Sequence, residues 1–217
     1  MKFFVDSADQ QAVVGLLEAG LVSGVTSNPM ILDRAGLDQT AIPRLLEAYL
    51  EAGAEEVLFQ SWGREKRNLI ETGRYINALD ARTTVKVPAT REGFEAAKVL
   101  VGEGVPVLLT AVHTVTQALV AASMGVKYIT PFIGRLNESG FDGLRIAEQI
   151  AALTAGTGLK VLIGSVRSAR DVHQIALTGH DFFTAGPAVI EDLIASRETD
   201  EIAEIFEALA DKTAVPA

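Results

Sequence analysis

The feature that most constrains the fold is an eightfold alternation of short apolar segments with helical patterns. Each apolar segment spans four to seven residues and is bounded by polar or turn residues, which is typical of a buried strand. The predicted strands are 2–5, 21–26, 56–60, 83–87, 106–111, 126–132, 159–164 and 181–184. The helices that follow them are 8–19, 39–52, 64–79, 91–103, 114–123, 143–155, 169–177 and 187–196, with a last helix at 201–210. Eight such units predict an α/β fold in which a parallel sheet closes into a (β/α)8 TIM barrel.

The main alternative is a doubly wound open sheet, which usually has fewer strands and a glycine-rich nucleotide loop. The sequence contains neither a GxGxxG nor a Walker-type motif, and no linker or low-complexity tract divides it. We therefore expect one barrel domain over residues 1–217, with an extra C-terminal helix. The acidic segment 197–217 predicts a surface helix. Its apolar residues are Ile202, Ile205, Phe206 and Leu209. If they share one face of the helix, that face could dock on its own barrel or on a neighbouring subunit, and docking on its own barrel is the default expectation.

Composition excludes several classes of protein. The chain has no cysteine, which removes disulfides, thiolate metal sites and cysteine nucleophiles and fits a cytoplasmic protein. Its net charge of −9 argues against nucleic-acid partners. No apolar run approaches the ~20 residues that span a bilayer, so we expect no membrane partner. The three histidines lie far apart, without metal-binding spacing.

One lysine lies in the middle of the fourth predicted strand, in Thr83-Thr84-Val85-Lys86-Val87-Pro88. A buried ammonium is unfavourable, and desolvation lowers the pKa of lysine from about 10.4. A neutral amine is a nucleophile that condenses with a ketone or aldehyde to form a Schiff base. A lysine that faces solvent, or one that is paired with a buried carboxylate, is the alternative. Taken alone, the segment fits that alternative better.

Polar residues follow almost every predicted strand. The active site of a barrel lies at the carboxyl ends of its strands, so these side chains are expected to converge. Several of them also have a purely local explanation: Asp6 and Asn28 can cap the helices that follow, and Ser165 or Ser168 can cap the seventh. Thr110 fits a strand on propensity alone. Together, a carboxylate, two amides, hydroxyls and a lysine indicate a binding site. The residues are Asp6, Thr26, Ser27, Asn28, Gln60, Lys86, Thr110, Phe132, Arg135, Ser165, Arg167 and 184–186.

These residues carry a family resemblance. The segments Phe4-Val5-Asp6-Ser7-Ala8, Gly24-Val25-Thr26-Ser27-Asn28-Pro29, Val85-Lys86-Val87-Pro88-Ala89-Thr90, Pro131-Phe132-Ile133-Gly134-Arg135 and Ser165-Val166-Arg167 occur in order along the chain. The chain resembles the transaldolase family, and within it the short subfamily that includes fructose-6-phosphate aldolase. The resemblance implies a class I aldolase barrel without metal or other cofactor, in which Lys86 forms the Schiff base. It makes a solvent-facing Lys86 improbable.

The resemblance also implies roles for the other residues. Asp6 is similar in position to the carboxylate that handles the proton of the C4 hydroxyl, while Gln60 and Thr110 would hold a water that relays protons. Asn28 would hold hydroxyls of the dihydroxyacetone unit, and Thr26 and Phe132 would also bind the substrate. Arg135, Arg167 and Ser165 would bind a terminal phosphate, because a guanidinium gives bidentate bonds to tetrahedral oxyanions. Surface ion pairs are the alternative for both arginines, and a sulfonate fits them as a phosphate does.

Two positions depart from the family pattern and point in opposite directions. Aldolase-type members look as though they carry tyrosine where this chain has Phe132, which favours transaldolase behaviour. Transaldolases usually carry glutamate where Gln60 stands, and a glutamine only orients water. We therefore expect transfer of a dihydroxyacetone unit between sugar phosphates, with fructose-6-phosphate cleavage or a sulfonated substrate as alternatives. His113 can take part in proton transfer, although we favour a packed, hydrogen-bonded histidine.

Other classes remain open from the sequence. A barrel isomerase or sugar-phosphate epimerase shares the fold and the anion site but forms no covalent adduct. A catalytically silent sugar-phosphate binder shares the whole site, because fold alone does not define function. By resemblance, we also expect a homo-oligomer, as a pentamer or decamer, with the C-terminal helix as the contact.

Overall fold

Eight parallel strands pair in sequence order, and the last strand closes against the first. The computed structural model, which describes residues 1–210, thus confirms the (β/α)8 TIM barrel. The strands are β1 (Lys2–Asp6), β2 (Gly24–Thr26), β3 (Glu56–Gln60), β4 (Thr83–Pro88), β5 (Val107–Val112), β6 (Tyr128–Pro131), β7 (Lys160–Ile163) and β8 (Phe182–Ala185). Three strands, β2, β6 and β7, are shorter than predicted. Apolar residues such as Leu21 and Val22 pack in the core before β2 begins, so hydrophobicity alone overstates the length of the strand.

Helices follow the strands and cover the outside of the barrel. They are α1 (Gln10–Glu18), α2 (Pro29–Arg34), α3 (Ile42–Glu51), α4 (Lys66–Asn77), α5 (Arg91–Gly102), α6 (Val115–Ala122), α7 (Ile133–Glu138), α8 (Gly143–Thr154), α9 (Ala169–Ala176), α10 (Pro187–Ile194) and α11 (Arg197–Ala210). A 3₁₀ turn, Gln39–Ala41, precedes α3. Within residues 1–210, no helix is long and apolar enough to cross a membrane.

The sequence prediction missed two helices, α2 and α7. Each has six residues, which is too short for a helical hydrophobic period to be recognised. The start of α2 did carry a signal, because Asn28 is its N-cap and Pro29 is its first residue. Both helices directly follow a strand end, so they border the mouth of the barrel.

The interior of the barrel is filled by layers of side chains from alternate strands, as in other barrels of this type. An apolar layer from the odd strands consists of Phe4, Leu58, Leu108 and Leu162. The next layer toward the carboxyl ends comes from the even strands and consists of Thr26, Lys86, Thr130 and Thr184. Above it lie Asp6, Gln60, Thr110 and Gly164. Lys86 therefore lies at the boundary between the apolar core and the polar mouth.

Helix α11 does not pack on the barrel. None of its residues is buried, and its apolar residues are 48 to 64% exposed: Ile202, Ile205, Phe206 and Leu209. The default expectation that this helix docks on its own barrel is therefore wrong, because its apolar face stays open to solvent. The helix also begins four residues earlier than predicted, at Arg197. The rest of the predicted tail, residues 211–217, lies outside the described residues.

Candidate active site

Two adjoining cavities open among the carboxyl ends of the strands. The inner cavity measures about 100 Å³ and the outer one about 590 Å³, and they share Asp6, Ile31 and Arg34. The inner cavity is lined by Asp6, Asn28, Met30, Ile31, Arg34, Lys86, Thr130, Phe132, Arg135, Gly164, Ser165, Arg167 and Thr184. The outer cavity adds residues 7–10, Ala35, Gly186 and Pro187. Of the ten predicted site residues, all line the inner cavity except Thr26, Gln60 and Thr110.

Lys86 lies at the floor of the inner cavity and is only 4% exposed. Within residues 1–210, its Nζ has neither a hydrogen-bond nor an ion-pair partner. Burial lowers the pKa of Lys86, and the charge of Asp6 opposes this effect only in part. A larger share of this amine is therefore neutral and nucleophilic than for a lysine in water.

Asp6 ends β1 at the boundary between the two cavities. Its carboxylate accepts a hydrogen bond of 2.5 Å from the hydroxyl of Thr26, which lies 2.6 Å from the hydroxyl of Thr184. The cap of α1 is Asp9, whose carboxylate accepts from the backbone of Ala12. Asp6 is thus held by side chains of β2 and β8 rather than used as a helix cap. Thr26 itself is fully buried behind it.

Asn28 combines the two roles that the sequence offered as alternatives. Its Oδ1 accepts hydrogen bonds from the backbone N–H groups of Met30 and Ile31, at 3.0 and 3.1 Å, and so caps α2. Its side chain also lines the inner cavity. Because the cap uses only the carbonyl oxygen, the amide Nδ2 remains a donor for a ligand.

Gln60 and Thr110 stand on the strands on either side of Lys86. Gln60 is the direct register partner of Lys86, and Thr110 pairs with Pro88 on the other side of β4. The hydroxyl of Thr110 is buried and has no hydrogen-bond partner among residues 1–210. A buried hydroxyl without a partner is unfavourable, which makes it a candidate to hold a water or a ligand.

The backbone is strained beside two of these positions. Ala111 and Ser165 have φ angles of 57° and 60°, in the left-handed region that non-glycine residues rarely adopt. At Ala111 the register of β5 against β6 shifts between Leu109 and Val112. Ser165 lines the inner cavity, and its buried hydroxyl also lacks a hydrogen-bond partner in the described part of the chain. Both strained residues thus border the predicted site.

The two predicted anion-binding arginines share one carboxylate. Glu138 accepts hydrogen bonds from Nε and Nη2 of Arg167 at 3.0 and 2.8 Å, and it lies 3.9 Å from Nη1 of Arg135. These side chains are about half exposed, so the ion pairs contribute little stability and leave the guanidinium groups open to a ligand. Gly134 makes the arrangement possible. A Cβ at Gly134 would lie 2.0 Å from the carbonyl oxygen of Ser165.

Phe132 lines the inner cavity, and its ring lies 6.0 Å from the ring of His113 in an edge-to-face arrangement. Nδ1 of His113 lies 2.8 Å from the carbonyl oxygen of Ala111. His113 is exposed and lies outside the inner cavity. The expectation that this histidine is packed is therefore wrong, whereas the expectation that it is hydrogen-bonded is confirmed. The residue directly follows the end of β5.

Two residues of the inner cavity with polar side chains, Thr130 and Arg34, were missed by the sequence prediction. Thr130 is 2% exposed, and its hydroxyl has no hydrogen-bond partner in the part of the chain that the structure describes. A threonine within a strand fits propensity alone, although its position two residues before Phe132 gave a signal. Arg34 ends α2, a helix that was not predicted. Within residues 1–210, no group of three or more His, Cys, Asp or Glu side chains could hold a metal ion.

The barrel, with a lysine buried at the floor of a polar cavity, is of the class I aldolase type. The family model described as transaldolase/fructose-6-phosphate aldolase matches residues 3–215. The chain therefore belongs to the transaldolase/fructose-6-phosphate aldolase family, as the resemblance predicted.

Individual relatives agree with this assignment. The chain is 36% identical over 217 residues to a probable transaldolase of Roseobacter denitrificans, covering 98% of each chain. It is 38% identical over 210 residues to a probable transaldolase of Cereibacter sphaeroides, covering 96% of this chain and 94% of that one. A solved structure of a mandelate oxidase mutant matches with a TM-score of 0.59 and 19% identity, over 96% of this chain and 71% of that chain. This last likeness shows the barrel fold alone.

Proposed function

We propose that the protein is a transaldolase that forms a Schiff base on Lys86 and transfers a dihydroxyacetone unit from a ketose phosphate to an aldose phosphate. The observation that carries the proposal is the environment of Lys86. Its amine is buried and unpartnered among the described residues, its pKa is lowered, and it lines the same cavity as Asp6. A nucleophilic amine next to an acid/base group is what Schiff-base chemistry on a sugar needs.

The first half of the reaction cleaves the donor. Nζ of Lys86 attacks the C2 carbonyl carbon of the ketose, and loss of water gives a protonated imine. Asp6 takes the proton from the C4 hydroxyl as the C3–C4 bond breaks. The electron pair of that bond moves into the imine and gives an enamine. An aldose phosphate leaves, and three carbons stay on Lys86.

The second half reverses these steps with another aldehyde. The enamine carbon attacks the carbonyl carbon of the acceptor, and Asp6 returns the proton to the new hydroxyl. Water then hydrolyses the imine and releases the new ketose. Gln60 and Thr110 flank Lys86 on β3 and β5, where they would hold the water that is lost and regained.

The remaining lining residues would bind the ends of the sugar. The amide of Asn28 and the unpartnered hydroxyl of Thr130 are suited to the hydroxyls of the dihydroxyacetone unit. Ser165, Arg135 and Arg167 are suited to the terminal oxyanion, because arginine makes charge-assisted, bidentate bonds to such groups. Phe132 supplies an apolar wall without an acid/base group.

Cleavage without transfer, as in a fructose-6-phosphate aldolase, is the second candidate. Gln60 favours it, because transaldolases usually carry a glutamate there. In this reaction the enamine is protonated and hydrolysed, so that fructose 6-phosphate gives dihydroxyacetone and glyceraldehyde 3-phosphate. A related transfer from a sulfonated sugar is a third version of the same chemistry.

Trapping of the imine tests the proposal. The protein is incubated with dihydroxyacetone or fructose 6-phosphate and reduced with borohydride, and the mass of the peptide that contains Lys86 is measured. We expect a three-carbon adduct on Lys86, none in Lys86→Met, and an undiminished adduct in Lys98→Met, a control on the exposed face of α5. A wild-type protein without an adduct would overturn the proposal and favour an isomerase, an epimerase or a silent binder.

Partition of the enamine separates transfer from cleavage. Fructose 6-phosphate is supplied with and without erythrose 4-phosphate, and the new seven-carbon ketose is measured against free dihydroxyacetone. We expect the transfer product to dominate. Free dihydroxyacetone at the same rate in both samples would assign the aldolase reaction instead.

We also propose that the protein works in the cytoplasm as a homo-oligomer, a pentamer or a decamer. The absence of cysteine supports this location, and the open apolar face of α11 supports the assembly.

A further inference from the structure

Arg34 lies where the inner and outer cavities meet, and it lines both of them. Within residues 1–210, its guanidinium makes no hydrogen bond and no ion pair. The other two arginines of the inner cavity, Arg135 and Arg167, both lie within ion-pair distance of Glu138. Among the three arginines that line this cavity, Arg34 is thus the one whose charge is not neutralised by a carboxylate of residues 1–210.

Helix α2 fixes the position of Arg34. The helix is capped by Asn28, begins with Pro29 and is anchored in the core by Leu32, which is 3% exposed. Arg34 follows on the exposed side, two residues after this anchor. A cation near the last turn of a helix is also favoured by the helix dipole. The backbone of Arg34 is therefore fixed at the mouth, and no side chain within residues 1–210 binds its guanidinium.

The charges at the anion end of the inner cavity can be counted. Arg135 and Arg167 contribute two positive charges, and Glu138 cancels one of them. Two guanidinium groups and one carboxylate leave a net charge of +1, which matches a sulfonate. A phosphate monoester carries about −1.5 to −2 at pH 7, so it needs a second net positive charge. Arg34 lines the same inner cavity, and counting it raises the net charge of these groups to +2. The remaining carboxylate of the inner cavity, Asp6, lies like Arg34 at the boundary between the two cavities, and it accepts a hydrogen bond from Thr26.

We propose that Arg34 is the third cation of the anion subsite and that it makes this subsite selective for the phosphate monoester dianion over a sulfonate monoanion. The inference rests on the proposed function and narrows its substrate class. The low-dielectric walls of a cleft strengthen the interaction between a bound anion and a guanidinium beyond its strength in water. Each charge-assisted contact contributes about 1.5–3 kcal/mol, which corresponds to at least about tenfold in affinity.

The test compares Arg34→Gln and Arg34→Lys with wild-type protein. Inorganic phosphate and methanesulfonate serve as competitive inhibitors of the same reaction, because they differ in charge and lack the sugar. In Arg34→Gln we expect the inhibition constant of phosphate to rise by about tenfold and that of methanesulfonate to change by less than about threefold. The KM for fructose 6-phosphate should rise with the phosphate constant, while kcat changes little. Arg34→Lys keeps the charge and should restore part of the loss.

A matched control and a phosphate-free substrate keep the outcomes separate. Arg145→Gln removes an exposed arginine on α8, away from both cavities, and should leave both inhibition constants unchanged. Dihydroxyacetone has no phosphate, so it should still form the Lys86 adduct in Arg34→Gln. If the wild-type protein forms no such adduct with dihydroxyacetone, the proposed function is overturned. An intact adduct, with phosphate and methanesulfonate weakened equally or not at all in Arg34→Gln, overturns the inference about Arg34 alone.

Discussion

The hydroxyl of Thr26 lies 2.5 Å from a carboxylate oxygen of Asp6, and the same hydroxyl lies 2.6 Å from that of Thr184. A threonine hydroxyl has a single hydrogen to donate, and a carboxylate can only accept, so the one hydrogen of Thr26 is used in its bond to Asp6. Thr26 therefore donates to Asp6, and Thr184 donates to Thr26. This chain of hydrogen bonds joins β8, β2 and β1 and fixes the direction of the Asp6 carboxylate over the layer that contains Lys86.

Thr26→Val tests whether this hydrogen bond matters for catalysis. Valine keeps the shape of the side chain but removes the donor, so the carboxylate loses its fixed direction. A hydrogen bond to a charged group contributes about 1.5–3 kcal/mol, and we expect kcat to fall by about tenfold or more. The borohydride adduct on Lys86 should persist, because the amine is untouched.

Asp6→Asn provides the comparison for Thr26→Val. Loss of a general acid/base group lowers the rate by about 10²–10⁴-fold, so this variant should be the more severely impaired. A wild-type kcat in Thr26→Val would contradict a positioning role for Thr26. Full activity in Asp6→Asn would remove Asp6 from the mechanism.

Lys86→Met should stabilise the fold while it abolishes the adduct. Burial lowers the pKa of Lys86 in the folded protein below the 10.5 of a free lysine. Between the two pKa values the unfolded chain binds more protons than the folded one, so the free energy of unfolding of the wild type rises with pH. Methionine does not titrate. The advantage of Lys86→Met is therefore expected to be largest at and below the lowered pKa and to shrink as pH rises towards 10.5.

Chemical denaturation of both proteins at neutral and alkaline pH measures this difference. Each unit by which the pKa is lowered corresponds to about 1.4 kcal/mol. Lys98→Met, on an exposed helix face, should show no such pH-dependent difference from the wild type. A Lys86→Met protein whose advantage is absent, or grows with pH, would contradict a neutral buried amine.

The barrel could be predicted from sequence because its signal is repeated eight times. Errors in single elements, such as the apolar Leu21 and Val22 before β2, do not change the count of strands. The short helices α2 and α7 were not predicted, because six residues are too few to reveal the hydrophobic period of a helix. The open face of α11 escaped because an amphipathic pattern shows that a helix needs a partner but not which one.

The site was predictable where one residue type carries its own chemistry, as Lys86 does in an apolar strand. Side-chain partners across the fold were not. Glu138 and Arg167 are 29 positions apart and meet where Gly134 lets α7 approach Ser165 closely. Thr130 escaped because a strand threonine is ordinary by propensity, and only the fold shows that its hydroxyl is buried without a partner.

Phe132→Tyr should change the fate of the enamine. Phe132 lines the inner cavity, and a tyrosine there would add an acid/base hydroxyl without a change in ring size. A proton donor near the enamine favours its protonation and release over attack on an acceptor. We expect the ratio of free dihydroxyacetone to transfer product to rise by about tenfold, below the full range for a well-placed acid/base group.

The ratio is measured from fructose 6-phosphate with a fixed amount of acceptor aldehyde. Phe141→Tyr, at a ring that is exposed and outside both cavities, is the matched control and should leave the ratio as it is. An unchanged ratio in Phe132→Tyr would show that the missing hydroxyl does not decide between transfer and cleavage.

The apolar face of α11 is expected to be covered by another copy of the chain. Its apolar residues follow the i, i+3, i+4, i+7 spacing of one helix face, and the helix spans 14 residues, or about 21 Å. The double variant Ile205→Asp with Phe206→Asp places two charges on this face. It should therefore lower the mass measured by sedimentation below that of the wild-type oligomer.

Leu177→Asp is the matched control for this double variant, because Leu177 is the same kind of exposed apolar residue but follows α9 on the barrel itself. We expect Leu177→Asp to keep the wild-type mass. A wild-type protein that sediments as a monomer, or a double variant that keeps the full mass, would show that α11 does not hold subunits together. The Lys86 adduct is a useful second readout, since Lys86 and the inner cavity are built from residues of a single barrel. A dissociated variant should therefore still form the adduct.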